Sequence, residues 1–454
     1  MLSSAVVKTK CTLDGNTKAL GRIFADHGYR LYLVGGAVRD YLMGIPNDDY
    51  DFATDARPHE VMAMFPHHVI PTGLQHGTVT VRFRRQSYEV TTFRSEGGYS
   101  DSRHPDSVTF VRSLESDLER RDFTINALAA DTLDGTIIDH HDGRGDLHRR
   151  LIRAIGDPDE RFAEDALRML RACRFAARLD FDIDRRTFEA MKRLSSTLTR
   201  VSAERIRDEL YKTLMSDHPS RGIELMRTSG LLDHILPELV RCVAIAQGGM
   251  HSMDVYHHSL AALDESARHA YPLAVRLAAL LHDIGKPSCR VEGEDRCTFH
   301  GHDIVGGEMV DGIMRRLKSS NEERQLVSLL VRQHMFNYTP SWSDGAVRRF
   351  INRVGKDNLE ALFQLRIADA CAISGTPSMD GLWELEERIG TILDSSPALT
   401  VKDLAVDGHD LMAAGIKPGP VLGRTLSALL EAVLDDPSLN DKDTLTALAL
   451  GLQS

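Results

Sequence analysis

The spacing of apolar and polar residues divides this 454-residue chain into two stretches of different character. Up to about residue 155 short apolar runs and alternating segments predict strands between helices, whereas beyond it apolar residues recur at helical intervals. Thr17 to His27 predicts an amphipathic lead-in helix that Gly28 stops. Leu31 to Val34, an unbroken apolar run, predicts a buried strand, and Ala37 to Met43 a helix opened by Gly35-Gly36. Tyr50 to Ala53 predicts a second short strand, and Pro58 starts a helix with Glu60 to Phe65 as its body. His76 to Phe83 alternates, turns at Arg84 to Ser87 and returns as Tyr88 to Phe93, which predicts a hairpin. Ser95 to Asp106, with adjacent glycines, Tyr99, Arg103 and Pro105, reads as a mobile loop. The fold class is therefore α+β: a head with a small mixed sheet and helices, then an all-α body.

Composition narrows the function classes. No apolar run approaches the roughly 20 residues that cross a bilayer, and Met1 to Cys11 has too short an apolar core for a secretory signal. A membrane partner is not expected. Six cysteines without a CxxC spacing predict free thiols in a reducing cytoplasm. The net charge of −11 argues against a uniformly basic nucleic-acid binder, but between Arg168 and Lys212 twelve Lys/Arg stand against seven Asp/Glu. A phosphate backbone needs only such a local patch.

The densest candidate chemistry lies between Leu31 and Asp55. Gly35 and Gly36 let bare backbone N–H groups approach a triphosphate, and Arg39 offers a guanidinium for bidentate phosphate contact. Asp49 and Asp51 flank Tyr50, and strand alternation points both carboxylates the same way. Such a pair suits Mg²⁺, two ions of which would activate a sugar hydroxyl and steady departing pyrophosphate. Glu89, on the return strand of the hairpin, either adds a third carboxylate or faces solvent.

The stretch Leu31-Tyr-Leu-Val-Gly-Gly-Ala-Val-Arg-Asp40 with Asn47-Asp-Asp-Tyr-Asp-Phe-Ala-Thr-Asp55 resembles the first signature of the polymerase-beta-like nucleotidyltransferases. The branch is that of class II bacterial tRNA CCA-adding enzymes and poly(A) polymerases. Glu119-Arg-Arg-Asp-Phe-Thr-Ile-Asn126 is similar to the family's second signature. That resemblance implies Arg121 on the triphosphate and Asp122 and Asn126 around the sugar. Glu164-Asp165-Ala-Leu-Arg168-Met-Leu-Arg171-Ala-Cys-Arg174 resembles its nucleobase-selecting motif, with Arg171 and Arg174 near the nucleotide.

Asp165 and Arg168, three apart, are read as neighbours on one helix surface. A carboxylate only accepts hydrogen bonds and a guanidinium only donates them. Cytosine and adenine both pair an exocyclic amino donor with a ring-nitrogen acceptor. Uracil and guanine reverse that polarity, so an Asp/Arg pair selects C and A together. Ser202 to Leu210 matches the neck helices of the family.

The resemblance thus implies addition of C, C and A to tRNA 3′ ends from CTP and ATP. It divides the chain into a head (1–155), neck (156–245), HD body (246–375) and helical tail (376–454). In the body His258, His282-Asp283 and Asp369 fit the H…HD…D order of metal-dependent phosphohydrolases. His300, His302 and His334 could extend it towards a second ion. The body is either such a centre or a purely structural module. The tail from Asp403 to Gly423 resembles that of HD-containing CCA-adding enzymes, with Lys417 a candidate for tRNA phosphate.

A poly(A) polymerase carries Gly-Arg-Arg-Phe soon after the carboxylates, where this chain has His76-Gly-Thr-Val79. A partial CC- or A-adding enzyme remains open, as does an HD phosphohydrolase with an RNA-binding head. Sequence does not determine oligomeric state.

Overall fold

Leu31–Val34 (β1) runs through the middle of the main sheet with all four side chains buried. Leu31 and Leu33 join one core with Leu20, Phe24, Val38 and Val81. Tyr32 and Val34 join another with Phe93, Leu118 and Ala129. Both faces of the strand are covered, which is why its apolar run is unbroken. The computed structural model describes residues 9–97, 107–247, 253–293, 297–374, 377–395 and 398–452. Tyr99, Arg103 and Pro105, in the stretch read as a loop, lie outside the described residues.

The chain forms two compact units, Met1–Pro237 and Glu238–Ser454. The first opens with α1 (Gly15–Asp26), capped by the Asp14 carboxylate on the Thr17 amide at 2.6 Å and followed by Gly28 at φ +83°. After β1 come α2 (Gly36–Met43), β2 (Asp51–Thr54), α3 (Pro58–Met64) and β3 (Val69–Gly73). The predicted hairpin is β4 (Thr78–Phe83) and β5 (Gln86–Thr92), turned by Arg84 and Arg85 alone. Both residues have positive φ, as a tight two-residue hairpin turn requires. β6 (Arg94–Gly97) and β7 (Ser107–Phe110) form a separate pair, and α4 (Leu114–Glu119), β8 (Leu128–Asp131) and β9 (Ile137–Asp139) follow. The seven-stranded sheet is ordered β3-β4-β5-β2-β1-β8-β9, with β2 and β5 parallel and the other pairs antiparallel.

α5 (Gly143–Arg149) then leads to a helical layer: α6 (Pro158–Glu164), α7 (Leu167–Leu179), α8 (Arg185–Leu194), α9 (Ala203–Leu214) and α10 (Pro219–Thr228). Strand pairing persists into this layer in one place, a two-residue parallel pair of Leu151–Ile152 with Asp182–Ile183. α7 lies against α9 and α10, and a Cβ at Gly222 would sit 2.4 Å from Thr213 and 3.1 Å from Ala177. Only glycine permits that three-helix approach.

Among its described residues the second unit is helical apart from a short antiparallel pair, Val291–Glu292 with Cys297–Thr298, and an isolated bridge between Ala246 and Asp254. Val255–Arg268, Leu273–Leu281, His302–Arg316, Asn321–Gln333 and Leu359–Ser374 pack together. A later core of Leu404, Val406, Leu411, Leu429, Val433 and Leu445 holds the C-terminal helices. Among the described residues no helix is long and apolar enough to cross a membrane. All six cysteines are free.

Candidate active site

The sheet register builds the carboxylate cluster. Val34 pairs with Asp51, and Asp51 lies opposite Glu89 on the parallel neighbour β5. Tyr88 and Val90 are buried, so Glu89 faces the other side of β5. Asp49 stands before the strand, where its amide donates to the Asn47 side chain at 2.7 Å. Strand alternation therefore does not hold Asp49 and Asp51 as expected, because β2 begins at Asp51. The carboxyl of Asp51 is nonetheless pushed up, first by partial desolvation and then by the charges of Asp49 and Glu89, with Arg121 opposing. Three carboxylates that repel one another form a donor set suited to a hard divalent cation.

Beside this cluster the chain turns at Gly35, with φ +69° and its amide on the Leu128 carbonyl. A Cβ there would lie 3.0 Å from the Arg121 guanidinium. Arg121 reaches Asp117 at 3.4 Å and the Asn126 carbonyl at 3.5 Å, both long contacts, and its buried Nε makes no hydrogen bond. It is thus a loosely held cation at the edge of the cluster. Asp117, which the sequence reading did not single out, is buried beneath Arg120 and Arg121.

Arg39 is placed differently from a free phosphate ligand. Its guanidinium is 3% exposed, donates to Asp40 at 2.7 Å and to the Asn126 side chain at 2.6 Å, and stands over the Phe175 ring. Gly36 lies against it, a Cβ there being 3.4 Å from the guanidinium. Asn126 in turn donates to Asp122 at 3.0 Å, and Asp122 receives Arg171 of α7 at 2.7 Å. Burial alone would raise the Asp122 carboxyl, but the Arg171 charge and the Asn126 and Arg171 hydrogen bonds overcome it and hold it at about 2. Arg174 completes the chain on buried Glu209 of α9 at 2.6 Å. Arg39, Arg171 and Arg174 all approach the Phe175 ring, with Arg174 at 4.2 Å from its centre. Neither Phe175 nor Glu209 was found from sequence: Glu209 lies thirty-five positions from Arg174, and Phe175, though next to Arg171 and Arg174, meets Arg39 only in the fold.

Asp165 and Arg168 depart from the expected surface pair. α6 ends at Glu164 and α7 begins at Leu167, with Asp165 extended between them at φ −145° and ψ 103°. Its carboxylate accepts from the Leu167 amide at 3.1 Å and pairs with Arg205 of α9 at 2.7 Å. Arg168 is held instead by Glu164 and, at 3.0 Å, by the Arg120 carbonyl. The donor and acceptor thus have separate anchors. Arg205 was missed because nothing local pairs it with a residue forty positions earlier. Beyond Arg174 a recess of about 470 Å³ is lined by Arg174, Arg178, Lys212 and Ser216.

Residues 31–153 match a model described as "Poly A polymerase head domain". Residues 180–242 match "Probable RNA and SrmB- binding site of polymerase A", and residues 304–449 match a tRNA nucleotidyltransferase domain 2. The CCA-adding enzyme of Levilactobacillus brevis is 37% identical over 423 residues, 92% of this chain and 93% of that protein. The chain belongs to the CCA-adding enzyme family. The Limosilactobacillus fermentum member is 35% identical, covering 93% of both chains. The Bacillus stearothermophilus CCA-adding enzyme, solved in complex with CTP, has a TM-score of 0.70 at 31% identity, covering 96% of this chain and 97% of that one.

In the second unit the structure brings His258, His282, Asp283 and Asp369 together, as the H…HD…D order implied. His258 meets Asp369 at 3.0 Å, and His282 meets Asp283 at 3.2 Å. His302 and His334 also converge on Asp283, whereas His300 is exposed and joins neither group.

Proposed function

We propose that the enzyme adds C, C and A in turn to tRNA lacking its 3′ end, using CTP and ATP and releasing pyrophosphate. The support rests above all on one juxtaposition: Asp51 opposite Glu89, beside the Gly35 turn that Arg121 overhangs. Asp49, Asp51 and Glu89 would hold Mg²⁺, which supplies hydroxyl activation and charge neutralisation at the departing pyrophosphate. Arg121, with the Gly35 and Gly36 backbone, binds the triphosphate. Arg39, locked on Asp40 and Asn126, fixes the floor of the pocket rather than reaching freely into it.

Asp165 accepts from the exocyclic amino group of C or A while Arg168 donates to the ring nitrogen. Arg205 and Glu164 hold these two in place. Asp122, Asn126, Arg171 and Arg174 tie this reader to the sheet that carries the carboxylates. The basic recess at Arg174, Arg178 and Lys212 suits RNA phosphate.

We assign head, neck, body and tail roles to residues 1–155, 156–245, 246–375 and 376–454, with tRNA contacts in the neck and tail and the cytoplasm as the site of action. In the body, His258, His282, Asp283 and Asp369 would hold a further divalent ion. Incubating the protein with tRNA lacking CCA, and with each nucleotide singly and together, tests the reading. It requires C, C and then A with no further growth; a long A tail or addition of A alone contradicts it.

A further inference from the structure

One face of the head sheet stays open beside the carboxylate cluster, and the strand register sets out a row of side chains across it. Asp51 of β2 lies opposite Glu89 of β5, Glu89 opposite Thr80 of β4, and Thr80 opposite Ile70 of β3. Residues paired across strands share a face, so these four point the same way, while Phe52, Val90 and Val81 turn into the core. Three strand spacings make the row about 14 Å long. Thr72 joins it, its hydroxyl 3.0 Å from that of Thr80, and Thr78 and Thr91 form a second such pair on the same face, also at 3.0 Å. A hydroxyl carries one hydrogen, so each bonded pair uses one and leaves the other free to point outward. Ile70 ends the row with an apolar side chain 38% exposed, and Arg82, two residues past Thr80 on the same face, is exposed.

The direction of the reaction decides what this row faces. The triphosphate is assigned to the Gly35 turn under Arg121, directly after Val34 of β1, and β1 lies on the opposite side of β2 from β5. Nucleotidyl transfer is an in-line displacement. The 3′-oxygen of the tRNA bonds to the α-phosphorus, the bond to the departing pyrophosphate breaks on the opposite side, and the hydroxyl proton passes to solvent. With pyrophosphate leaving over β1, the hydroxyl has to arrive from over β5, β4 and β3. We infer that the row seats the tRNA 3′ end, with the free hydroxyl hydrogen of the Thr72 and Thr80 pair on the ribose 2′-hydroxyl of the last nucleotide, Ile70 under a base and Arg82 on a phosphate. The inference rests on the proposed CCA addition and goes beyond it in naming the side chains that hold the strand being extended.

The chemistry of the row fits RNA in particular. A 2′-hydroxyl both accepts and donates, and a strand that lacks it leaves the threonine hydrogen facing nothing. Threonine also suits the strands themselves, since β-branched residues favour a pleated surface and cross-strand hydroxyl pairs hold register. Register support is met anywhere on a sheet. These pairs instead stand beside Glu89, on the side from which the nucleophile comes. Thr72 and Thr80 therefore bind and position the acceptor strand, one strand and more away from the turn that holds the triphosphate.

The test measures addition from CTP to tRNA lacking CCA and to the same tRNA whose last nucleotide is 2′-deoxy but keeps its 3′-hydroxyl. The full-length wild type is compared with the Thr72→Val and Thr80→Val double variant, with Thr80→Ser and with Arg82→Gln. The double variant is expected to raise KM for tRNA by about 2- to 12-fold, the worth of one hydrogen bond, and to leave KM for CTP as in the wild type. The wild type is expected to lose a similar factor on the deoxy-ended tRNA and the double variant to lose nothing further, because both changes remove one contact. Thr80→Ser, which keeps the hydroxyl, should match the wild type. Arg82→Gln, at an exposed position, should raise KM for tRNA and flatten its salt dependence even where the double variant proves unstable. A wild type indifferent to the deoxy end, a deoxy penalty that the double variant keeps in full, a loss that falls on KM for CTP, or an unaltered salt dependence in Arg82→Gln overturns the inference. A wild type that adds nothing to either tRNA overturns the CCA reading itself.

Discussion

The Asp165 carboxylate pairs with Arg205 of α9 at 2.7 Å, while Arg168, three residues along from Asp165, is held by Glu164. Acceptor and donor are therefore fixed by different elements, and their relative geometry depends on tertiary contacts as much as on the helix that carries Arg168.

Removing Arg205 should loosen the acceptor without removing it. Because the pair is partly exposed, a loss of about 1–2 kcal/mol is expected, which is about 5- to 30-fold. Arg205→Ala should lower kcat/KM for CTP and ATP together by that factor, with Arg205→Lys recovering part. Steady-state kinetics with tRNA ending in C and in CC checks this; an effect on one nucleotide alone would count against it.

Asp51→Asn should reduce kcat by about 10³-fold or more while leaving the fold intact, since a metal ligand contributes several kcal/mol of charge stabilisation. Glu89→Gln separates the two readings of that residue. If Glu89 ligates metal, activity falls at low Mg²⁺ and recovers as Mg²⁺ rises. An unchanged Mg²⁺ dependence would mean that it only faces solvent.

Gly35→Ala places a Cβ 3.0 Å from the Arg121 guanidinium at a residue with φ +69°. The left-handed backbone should cost about 1–2 kcal/mol of stability. Displacing Arg121 should raise KM for both nucleotides by about tenfold, the worth of one charge-assisted hydrogen bond. Thermal unfolding and nucleotide titration measure the two effects separately.

The Asp122 carboxyl, held at about 2 chiefly by Arg171 and Asn126 against its burial, gives a pH signature. A carboxyl depressed in the folded state contributes stability that is fully present above the unfolded value of about 3.9 and is lost as pH falls through the folded one. Asp122→Asn should cost about 3 kcal/mol at pH 7 by leaving Arg171 without its nearest carboxylate. The gap to wild type should narrow below about pH 4 and close near pH 2. Urea unfolding of both proteins across that range checks the sign; a gap that widens in acid would contradict it.

Much of the head was legible because its signals are local. The apolar run Leu31 to Val34, the alternation on either side of the 84–87 turn, and Gly28 after α1 each act over a few residues. Boundaries blurred where local chemistry was unusual. Arg84 and Arg85 occupy left-handed turn positions that normally advertise themselves with Asn or Gly, so β5 begins earlier than the sequence suggests. The helical period of the arginines runs through Asp165 without a break, which hid the extended residue between α6 and α7. Glu209, Arg205 and Phe175 were invisible for a different reason: each meets a partner that only folding brings near, Arg174, Asp165 and Arg39 in turn.

The most direct test of the central claim, that Asp165 and Arg168 choose C and A in place of a template strand, is the nucleotide preference of Asp165→Asn. Kinetics for CTP, ATP, UTP and GTP are measured on tRNA lacking CCA. An amide can donate where the carboxylate only accepts. The preference for C and A over U and G should therefore shrink by about 5- to 150-fold, the range set by one mismatched buried polar group. A preference equal to that of the wild type would contradict the account.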